Sequence, residues 1–537
     1  MKALTAAEMR EVDRLTTERF SIPGERLMEA AGKSVAEVFL ETYREKSGRT
    51  PRHVCVLCGK GNNGGDGFVA ARYLKGRVGE LKLYLFGEPA DLRGDAAKNY
   101  QRWRELSETV TVIRGEEDWI RAWSDVAGSE VIVDALLGTG IRGGASGLLA
   151  QVIENVNRFS QDAKAAWPGW IVAVDTPSGL PSDGEAAQGP VLRSHLTVTF
   201  TAPKIGQLVS SDAGNCGALV VREIGTPAAL VEEVGKGKLR WAGPEEFSEM
   251  PVQRSAEAHK GSYGHVLLVA GSVGKTGAAV LCGRAALRGG AGLVTVATPE
   301  PALATLAAAQ AEYMTEALPA TVSGTVASVR LGGFATLLHG MTVLGMGPGL
   351  GTHPETQEFV RSVVAHADLP MVVDADGLNA FAGHAENLAV RQSQHLVLTP
   401  HPGEMARLCG LTTPQVQAER VRVAVEFAGK WNAVVLLKGF HTVIAAPNGD
   451  VFVNTTGSAG LAKGGSGDVL TGLLAALIAQ FGATDLYRVV ALGAYLHGRA
   501  AELVAASTDE SGVLAGEVAN AVPLARRKLL QELQARG

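Results

Sequence analysis

The stretch Asn454-Thr-Thr-Gly-Ser-Ala-Gly-Leu-Ala-Lys-Gly-Gly-Ser-Gly-Asp-Val-Leu-Thr-Gly472 joins a glycine-rich loop to the apolar run Val469–Gln480. The run is typical of a buried helix, so the loop offers an anion the backbone N–H groups at the positive end of a helix dipole. Asp468 stands where that helix begins. A carboxylate there can accept the proton of an attacking hydroxyl while the amides stabilise a transferred phosphate. An N-cap role would explain Asp468 but not the three glycines around it, so the stretch predicts a phosphoryl-transfer site.

Apolar, β-branched runs alternate with helical patterns on both sides of this stretch, which is typical of parallel sheets covered by helices. Strands are predicted in the first half at residues 53–58, 82–86, 130–136, 170–174 and 196–200, and in the second half at residues 265–269, 293–298, 341–344, 371–373, 395–398, 433–437 and 443–446. A Gly- and Lys-rich segment, Val234–Lys238, separates the two series. The sequence therefore predicts an α/β protein with two three-layer αβα domains, residues 1–234 and 235–537.

Composition excludes several classes of protein. The chain has 537 residues, 46% of them hydrophobic, and a net charge of -5, which is a globular balance without the basic footprint of a nucleic-acid-binding protein. Its five scattered cysteines favour a reducing compartment; Cys55 and Cys58 form a C-x-x-C, but without the second pair of a zinc site. The start of the chain lacks a signal-peptide pattern, and the uncharged run 469–484 is too short to span a membrane. We expect a cytoplasmic enzyme without nucleic-acid or membrane partners.

A second glycine-rich stretch, Gly59-Lys-Gly-Asn-Asn-Gly-Gly-Asp-Gly67, follows the first predicted strand. Its G-x-G-x-x-G spacing between a strand and a helix is typical of a phosphate-binding loop in a Rossmann-like domain. Two asparagines and an aspartate add hard oxygen ligands, so this loop could also hold a cation. A tight turn would need only one or two of these glycines.

Two further strands of the first half end in aspartate followed by a glycine-containing loop, at Asp134 and at Asp175. The ligand crevice of an open α/β sheet lies at the carboxyl ends of its strands, so both carboxylates are expected to face it. Either aspartate alone could instead cap the next helix.

The segment Gly271-Ser-Val-Gly-Lys-Thr276 imitates a Walker A loop, and Met371–Asp374 imitates a Walker B strand. A P-loop needs a glycine where this chain has Val269, inside a predicted strand, so the loop is too short to wrap a phosphate pair. A P-loop or ribokinase-like small-molecule kinase with a non-catalytic dinucleotide-binding module remains an alternative, as does a nicotinamide oxidoreductase that uses Gly59–Gly64.

The stretch that contains Asp468 resembles the G-x-G-D signature of ribokinase-like phosphotransferases. Its companions are similar to motifs of NAD(P)H-hydrate dehydratases, namely residues 259–264, 270–278, 345–351, 373–379, 399–404 and 437–442. The first half resembles NAD(P)H-hydrate epimerases through residues 27–32, 62–66, 133–140, 175–179 and 197–204. This order is that of the fused bifunctional repair enzymes of bacteria, and it implies a Rossmann-like domain followed by a ribokinase-like domain.

The resemblance implies that the substrate is NADH or NADPH that has added water to its nicotinamide ring. The first domain would exchange the R and S hydrates, with Asp175 as acid and base. A potassium ion would be held by Asn63, Asp134 and Ser178. The substrate-binding residues implied there are Asn62, Asn63, Gly64, Gly65, Asp66, Gly138, Thr139, Gly140, Ile141, Arg142, Gly143, Gly144 and Asp175.

The second domain would transfer the terminal phosphoryl group of ADP, bound with Mg²⁺, to the S hydrate, with Asp468 as base; AMP and phosphate would be released. Contacts to the hydrated cofactor are implied for Ala278, Gly349, His401 and Asp468. Nucleotide contacts are implied for Lys438, Gly439, Phe440, His441, Thr442 and Gly467. The use of ADP rather than ATP follows from the resemblance alone, and a homo-oligomer is expected.

Overall fold

The computed structural model describes residues 1–106, 108–140, 144–160, 169–328, 331–482 and 485–534. The chain divides into two compact units, Met1–Gly237 and Lys238–Gly537. The sequence-based limits, 1–234 and 235–537, stay our proposal for the two functional domains.

The first unit is a parallel sheet with helices on both faces. Its strands are β1 (His53–Cys58), β2 (Glu80–Phe86), β3 (Thr111–Ile113), β4 (Val131–Ala135), β5 (Trp170–Val174), β6 (Leu196–Phe200) and β7 (Ala218–Arg222). Its helices are α1 (Ala6–Phe20), α2 (Gly24–Ser47), α3 (Asn62–Leu74), α4 (Gly94–Glu105), α5 (Glu116–Val126), α6 (Gly147–Phe159), α7 (Ile205–Val209) and α8 (Ala228–Val234). The strand order is β3-β2-β1-β4-β5-β6-β7, and these pairs are all parallel.

Alternate residues of the central strands belong to different cores. Val54 and Val56 of β1 pack in a cluster with residues of α2 and α3, whereas Cys55 and Leu57 pack with residues of α5 and α6. A strand buried on both faces reads as a continuous apolar run, which is why its boundaries are visible in the sequence. The two clusters make the unit three layers thick.

The second unit is built around a larger sheet. Its strands are β8 (Leu239–Trp241), β9 (His265–Val269), β10 (Leu293–Pro299), β11 (Met314–Leu318), β12 (Val343–Met346), β13 (Met371–Val373), β14 (Leu396–Leu398), β15 (Val434–Leu437), β16 (Thr442–Ala445) and β17 (Val451–Asn454). Its helices are α9 (Thr276–Gly289), α10 (Glu300–Ala309), α11 (Leu331–Leu338), α12 (Pro354–His366), α13 (Ala375–Asn379), α14 (Pro402–Cys409), α15 (Thr413–Ala418), α16 (Arg420–Trp431), α17 (Ser466–Phe481), α18 (Leu486–Ala505) and α19 (Ala515–Gln534).

The order of this sheet is β11-β10-β9-β12-β13-β14-β15-β16-β17-β8. Strands β15, β16 and β17 pair antiparallel; the other pairs are parallel. Parallel sheets in both units confirm the α/β class expected from the sequence.

Helix α17 lies in the core of the second unit. Nearly every residue from Val469 to Ala479 is buried, and the helix packs against α9 so closely that a Cβ on Gly472 would come within 1.9 Å of the Cys282 carbonyl oxygen. Only a glycine allows this approach. The apolar run predicted to be a buried helix is thus α17, and packing around the helix fixes the position of its first turn.

Among the described residues, no helix combines the length and apolar character needed to cross a bilayer. Cys55 and Cys58 are both buried and free; burial raises the pKa of Cys55 to about 11 and that of Cys58 well above its usual value. Neither thiol therefore has the thiolate character of a redox or metal site.

Candidate active sites

The first unit contains a pocket of about 640 Å³ at the carboxyl ends of its strands. The loops that follow β1, β4 and β5 line it, as the position of a ligand crevice in such a sheet requires. Of the predicted site residues, Asn62, Asn63, Asp66, Gly138, Thr139, Gly140 and Asp175 line this pocket. Helix α1 supplies a further wall that the sequence did not suggest.

The glycine-rich stretch Gly59–Gly67 was predicted to be a loop, and this prediction was wrong for Asn62–Asp66. These residues form the first turns of α3, whose N-cap is Gly61. Gly64 packs directly on the backbone of Gly59: a Cβ on Gly64 would lie 1.9 Å from the Gly59 carbonyl oxygen. The N-cap makes no side-chain hydrogen bond, so the first amides of α3 remain available to an anion.

Asn63, Asp134 and Ser178 meet around Leu137, as their proposed common role requires. Asn63 donates from Nδ2 to the Leu137 carbonyl oxygen at 2.9 Å, and the Leu137 N–H donates to Ser178 Oγ at 2.9 Å. Ser178 donates from Oγ to Asp134 Oδ1 at 2.6 Å and from its backbone N–H to Oδ2 at 2.8 Å. Asn63 Oδ1 is buried and has no hydrogen-bond partner among the described residues.

Burial raises the pKa of Asp134 to about 6, although the hydrogen bonds from Ser178 oppose this shift. A carboxylate, an amide oxygen and a hydroxyl are hard donors of the kind that suits an alkali or alkaline-earth cation. An orphaned oxygen beside a fully buried carboxylate is therefore consistent with a bound cation.

Asp175 follows β5 with a positive φ of 61°, a backbone conformation that costs a non-glycine residue free energy and is often found at functional sites. Its Oδ1 accepts hydrogen bonds from Thr199 Oγ1, at 3.0 Å, and from Lys204 Nζ. Lys204 is only 1% exposed and also donates to Thr199 Oγ1 at 2.8 Å. This ion pair holds the Asp175 carboxylate in place at the pocket. Lys204 ends the motif 197–204, but no role was predicted for it.

Three more carboxyl groups line the same pocket, those of Asp13, Asp66 and Asp95. Burial raises the pKa of Asp66 well above its usual value, and the neighbouring carboxylates Asp175 and Asp13 raise it further. Loss of hydration beside the pocket wall raises the pKa of Asp13 to about 6; Lys204 opposes this shift and Asp175 adds to it. Asp13 nevertheless keeps an exposed face.

The remaining residues predicted for the first unit lie elsewhere. Gly65 packs against Met28, whose methyl carbon would be 2.7 Å from a Cβ at this position. Gly144, with a φ of 103°, packs against the backbone of Gln188 and Gly189. Ile141, Arg142 and Gly143 lie outside the described residues.

In the second unit, Asp468 occupies the first turn of α17, whose N-cap Gly465 has a φ of 94° and makes no side-chain hydrogen bond. The first amides of this sixteen-residue helix are therefore uncapped by any side chain. In the described part of the chain, the Asp468 carboxylate receives no hydrogen bond. Burial raises the pKa of Asp468 to about 6; Asp374 and Asp376 add to the shift and Lys438 opposes it.

A buried ion pair supports this turn. Asp374 is 1% exposed; its Oδ1 accepts from Lys438 Nζ at 2.7 Å and its Oδ2 accepts from Thr471 Oγ1 at 2.8 Å. Burial lowers the pKa of Lys438, but Asp374 and Glu404 outweigh it and raise that pKa above its usual value. A Cβ on Gly467 would lie 3.4 Å from both Lys438 Nζ and Asp374 Oδ2. Lys438 and Gly467, both predicted to contact nucleotide, therefore adjoin each other.

The glycine loops of this unit bring Ala278 and Gly349 together. A Cβ on Gly349, which has a φ of 65°, would lie 2.9 Å from the Ala278 Cβ and 2.9 Å from the Lys275 carbonyl oxygen. Lys275 does not point into a P-loop; its half-exposed ammonium pairs with Asp376 at 3.2 Å. Val269 lies within β9 as the sequence predicted.

His401 has a structural role that its predicted substrate contact did not include. Its Nδ1 accepts from the N–H groups of Gly403, at 3.0 Å, and Glu404, at 3.3 Å, so it caps α14. Its Nε2 edge remains on the exposed side, 3.4 Å from Glu404 Oε1.

The segment 438–442 turns between β15 and β16. Phe440 is 64% exposed and stacks on His441, with ring centroids 4.0 Å apart. Gly439, with a φ of 147°, accepts from Thr442 Oγ1 at 3.2 Å. An exposed aromatic pair beside Lys438 offers a stacking surface for a nucleobase.

Comparisons with known proteins agree with this arrangement. Residues 266–524 match the family described as NAD(P)H-hydrate dehydratase, and residues 24–206 match the family described as YjeF-related protein N-terminus. A bifunctional NAD(P)H-hydrate repair enzyme of Moorella thermoacetica is 40% identical over 534 residues, which cover 99% of this chain and 98% of the relative. One from Escherichia coli K12 is 33% identical over 500 residues, which cover 92% of this chain and 87% of the relative.

Among solved structures, an ADP/ATP-dependent NAD(P)H-hydrate dehydratase from Bacillus subtilis, co-crystallised with ATP/Mg²⁺, is 31% identical with a TM-score of 0.45. It covers 54% of this chain, and 98% of its own length is matched. The two relatives match this chain over nearly its whole length. The chain belongs to the family of bifunctional NAD(P)H-hydrate repair enzymes, which carry an epimerase and a dehydratase in one polypeptide.

Proposed function

We propose that Lys238–Gly537 dehydrates the S hydrate of NADH or NADPH by phosphoryl transfer from ADP, with Asp468 as the general base. The observation that carries this proposal is the first turn of α17. There the half-buried Asp468 carboxylate, which receives no hydrogen bond within the described part of the chain, follows amides that no N-cap side chain binds. Such amides stabilise negative charge on a phosphate, while the carboxylate takes a proton.

The proposed chemistry proceeds in two stages. The hydrate's hydroxyl oxygen attacks the terminal phosphorus of ADP, Asp468 removes the hydroxyl proton, and AMP leaves. The ring nitrogen then supplies the electron pair that breaks the carbon–oxygen bond, phosphate departs, and loss of a carbon-bound proton restores the double bond. Phosphate is a much better leaving group than hydroxide, which explains why a kinase-like site serves a dehydratase. Lys438 lies beside Gly467, where its charge can stabilise the phosphate.

For Met1–Gly237 we propose exchange of the R and S hydrates, with Asp175 as the acid–base residue. The hydroxyl-bearing carbon is bonded to nitrogen, so the carbon–oxygen bond can open and close again on the other face of the ring. The ion pair with Lys204 and the hydrogen bond from Thr199 hold the Asp175 carboxylate in one orientation. Asn62, Asn63, Asp66 and Gly138–Gly140, which line the pocket, would bind the dinucleotide.

Two ions belong to this proposal. Potassium would be held by Asn63, Asp134 and Ser178, whose oxygen donors and orphaned Oδ1 fit it; it would balance the charge of Asp134. Magnesium would enter with the nucleotide and neutralise charge on its phosphates. Both carboxylate oxygens of Asp374 are occupied by Lys438 and Thr471, so that residue is not a free ligand.

The direct test is to incubate the full chain with mixed hydrate epimers and Mg²⁺, supplying ADP in one series and ATP in another. We expect the near-ultraviolet absorbance of reduced nicotinamide to return completely, since exchange feeds the S epimer to the second unit. A preference of about tenfold in kcat/KM, equal to about 1.4 kcal/mol, would identify the donor. Absorbance that stops at the S fraction would contradict exchange by the first unit.

Potassium is expected to stabilise the first unit. At ten times its Kd, a cation that binds only the folded state adds about 1.4 kcal/mol, which scanning calorimetry of the full chain in potassium or sodium chloride can detect as a shift of a few degrees. The matched pair Asn63→Ala and Asn62→Ala provides the control, since Asn63 is buried and its neighbour is exposed. Loss of the shift in both variants, or equal stabilisation by sodium, would contradict the site.

We further propose a cytoplasmic location and a homo-oligomer. Free cysteines, four of them buried, are consistent with a reducing compartment. Fractionation and light scattering test these two points.

A further inference from the structure

We propose that Asp13 is a second catalytic acid–base residue of the first unit, exchanging a proton with the hydrate on the ring face that Asp175 does not serve. The inference rests on the proposed epimerase function and extends it. Neither the resemblance nor the matched ranges point to Asp13, because the match to the N-terminal family begins at residue 24.

Helix α1 presents two different faces. Val12 and Leu15 belong to an apolar cluster with Leu230 and Val231 of α8, which anchors the helix. Arg10, Asp13 and Thr17 line the pocket instead, as expected for residues spaced by three or four positions along one side of a helix; Met9 contacts both the cluster and the pocket. The position of Asp13 in the pocket is therefore fixed by packing of the opposite face.

The carboxyl group of Asp13 has no hydrogen-bond donor among the described residues, in contrast to Asp175, which has two. The Asp175 carboxylate raises the pKa of Asp13, and the Lys204 ammonium lowers it. Asp66 and Arg10 line the same pocket. Four carboxyl groups line the pocket, those of Asp13, Asp66, Asp95 and Asp175, and Lys204 already pairs with Asp175. Asp13 is thus free to meet a ligand.

Exchange of configuration needs proton transfer on both faces of the ring. On one face a carboxylic acid protonates the leaving hydroxyl, the carbon–oxygen bond breaks as the ring nitrogen supplies electrons, and water departs. Water then attacks the same carbon from the other face and gives a proton to a carboxylate. One carboxyl group gives up a proton on the first face and the other takes one up on the second face, so Asp13 and Asp175 together account for exchange in either direction.

The titration of Asp13 suits this role better than that of Asp66. A group that exchanges protons during turnover works best when its pKa is close to the working pH. The pKa of Asp13 is raised to about 6, whereas burial raises the pKa of Asp66 well above its usual value.

The test uses the full chain with purified R hydrate and saturating nucleotide, so that recovery of absorbance is limited by exchange. We expect Asp13→Asn to lower kcat for exchange by about 10²-fold while KM changes by less than about twofold. In the wild type, kcat/KM for exchange should fall as the pH rises through about 6, because the shared proton is then lost. This decrease of kcat/KM with rising pH should be absent in Asp13→Asn and present again in Asp13→Glu.

Glu11→Gln is the matched control, since Glu11 lies on the same helix but pairs with Arg14 at 2.7 Å; its exchange rate should equal that of the wild type. Dehydration of pure S hydrate by the Asp13→Asn chain, at the wild-type rate, reports the integrity of the second unit, and calorimetry reports that of the first. A raised KM with unchanged kcat, or a pH limb that persists in Asp13→Asn, would overturn the proposal. Absence of exchange in the wild type would instead remove the epimerase function itself.

Discussion

Replacement of Asp468 by Asn is expected to lower kcat for nucleotide-dependent dehydration by about 10³-fold, within the range of a lost general base, while exchange of the R and S hydrates continues at the wild-type rate. Asn has nearly the same shape as Asp, so the first turn of α17 should be preserved. It cannot accept the hydroxyl proton. The measurement is steady-state dehydration of pure S hydrate, with nucleotide binding followed separately by calorimetry.

The pH dependence of the wild type supplies a second readout. The pKa of Asp468 is raised to about 6 by burial and by Asp374. A general base must be ionised, so kcat/KM for dehydration should be full above this pH and fall as the pH decreases through it. The Asp468→Asn chain should lack this limb.

Lys275→Ala is the control for this prediction, because Lys275 imitates a P-loop lysine but pairs with Asp376 at the surface. We expect the variant to bind nucleotide and to dehydrate the substrate. If Lys275→Ala abolished nucleotide binding while Asp468→Asn retained activity, the P-loop interpretation would replace ours.

Replacement of Asp374 by Asn is expected to reduce the free energy of unfolding of the second unit by about 3–5 kcal/mol, the usual cost of leaving a buried charge without its partner. Among the described residues, Glu404, whose Oε2 is 3.7 Å away, would remain as the ion-pair partner of Lys438. Thr471, which lies on α17, would also lose the carboxylate that accepts the hydrogen bond of its hydroxyl. Denaturant unfolding of the full chain, followed by loss of dehydratase activity and by circular dichroism, measures the effect.

A double-mutant cycle distinguishes this ion pair from a general loss of packing. Lys438→Met alone should also destabilise the unit, and Asp374→Asn with Lys438→Met should cost less than the sum of the two single changes. Lys275→Ala, which removes a half-exposed ion pair, should cost about 1 kcal/mol or less. Strict additivity of the two buried changes would show that Asp374 and Lys438 do not stabilise each other.

Central strands were predictable because burial on both faces leaves a continuous apolar run. Trp170–Val174 and Leu196–Phe200 agree with the sequence-based limits to the residue. Strands at or near the sheet edges were missed: β8, Leu239–Trp241, has three residues and pairs with β17 more than two hundred residues later in the chain. No local pattern contains that information.

The candidate sites likewise contain residues that local sequence predicts and residues that only the tertiary structure brings together. Asp468 at a helix start and Asp175 after a strand follow from local sequence, because motif and secondary structure lie together there. The Asp374–Lys438–Thr471 contacts join β13, the segment after β15 and α17, so only the tertiary structure reveals them. Asp13 was missed for the same reason. Lys204 ends the motif 197–204, but its ion pair with Asp175 follows only from the tertiary structure.

Helix α1 also has a practical meaning for anyone who trims this polypeptide. The range shared with the N-terminal family begins at residue 24, so a truncation chosen from that range would discard Ala6–Phe20. It would also remove Leu4, which exchanges backbone hydrogen bonds with Pro203 and Ile205 on either side of Lys204. The shortened protein would expose the Lys204 ammonium, which is 1% exposed in the intact chain, and would lack the α1 wall of the pocket. Affinity tags and fusion partners are therefore better placed away from α1 and the residues that precede it.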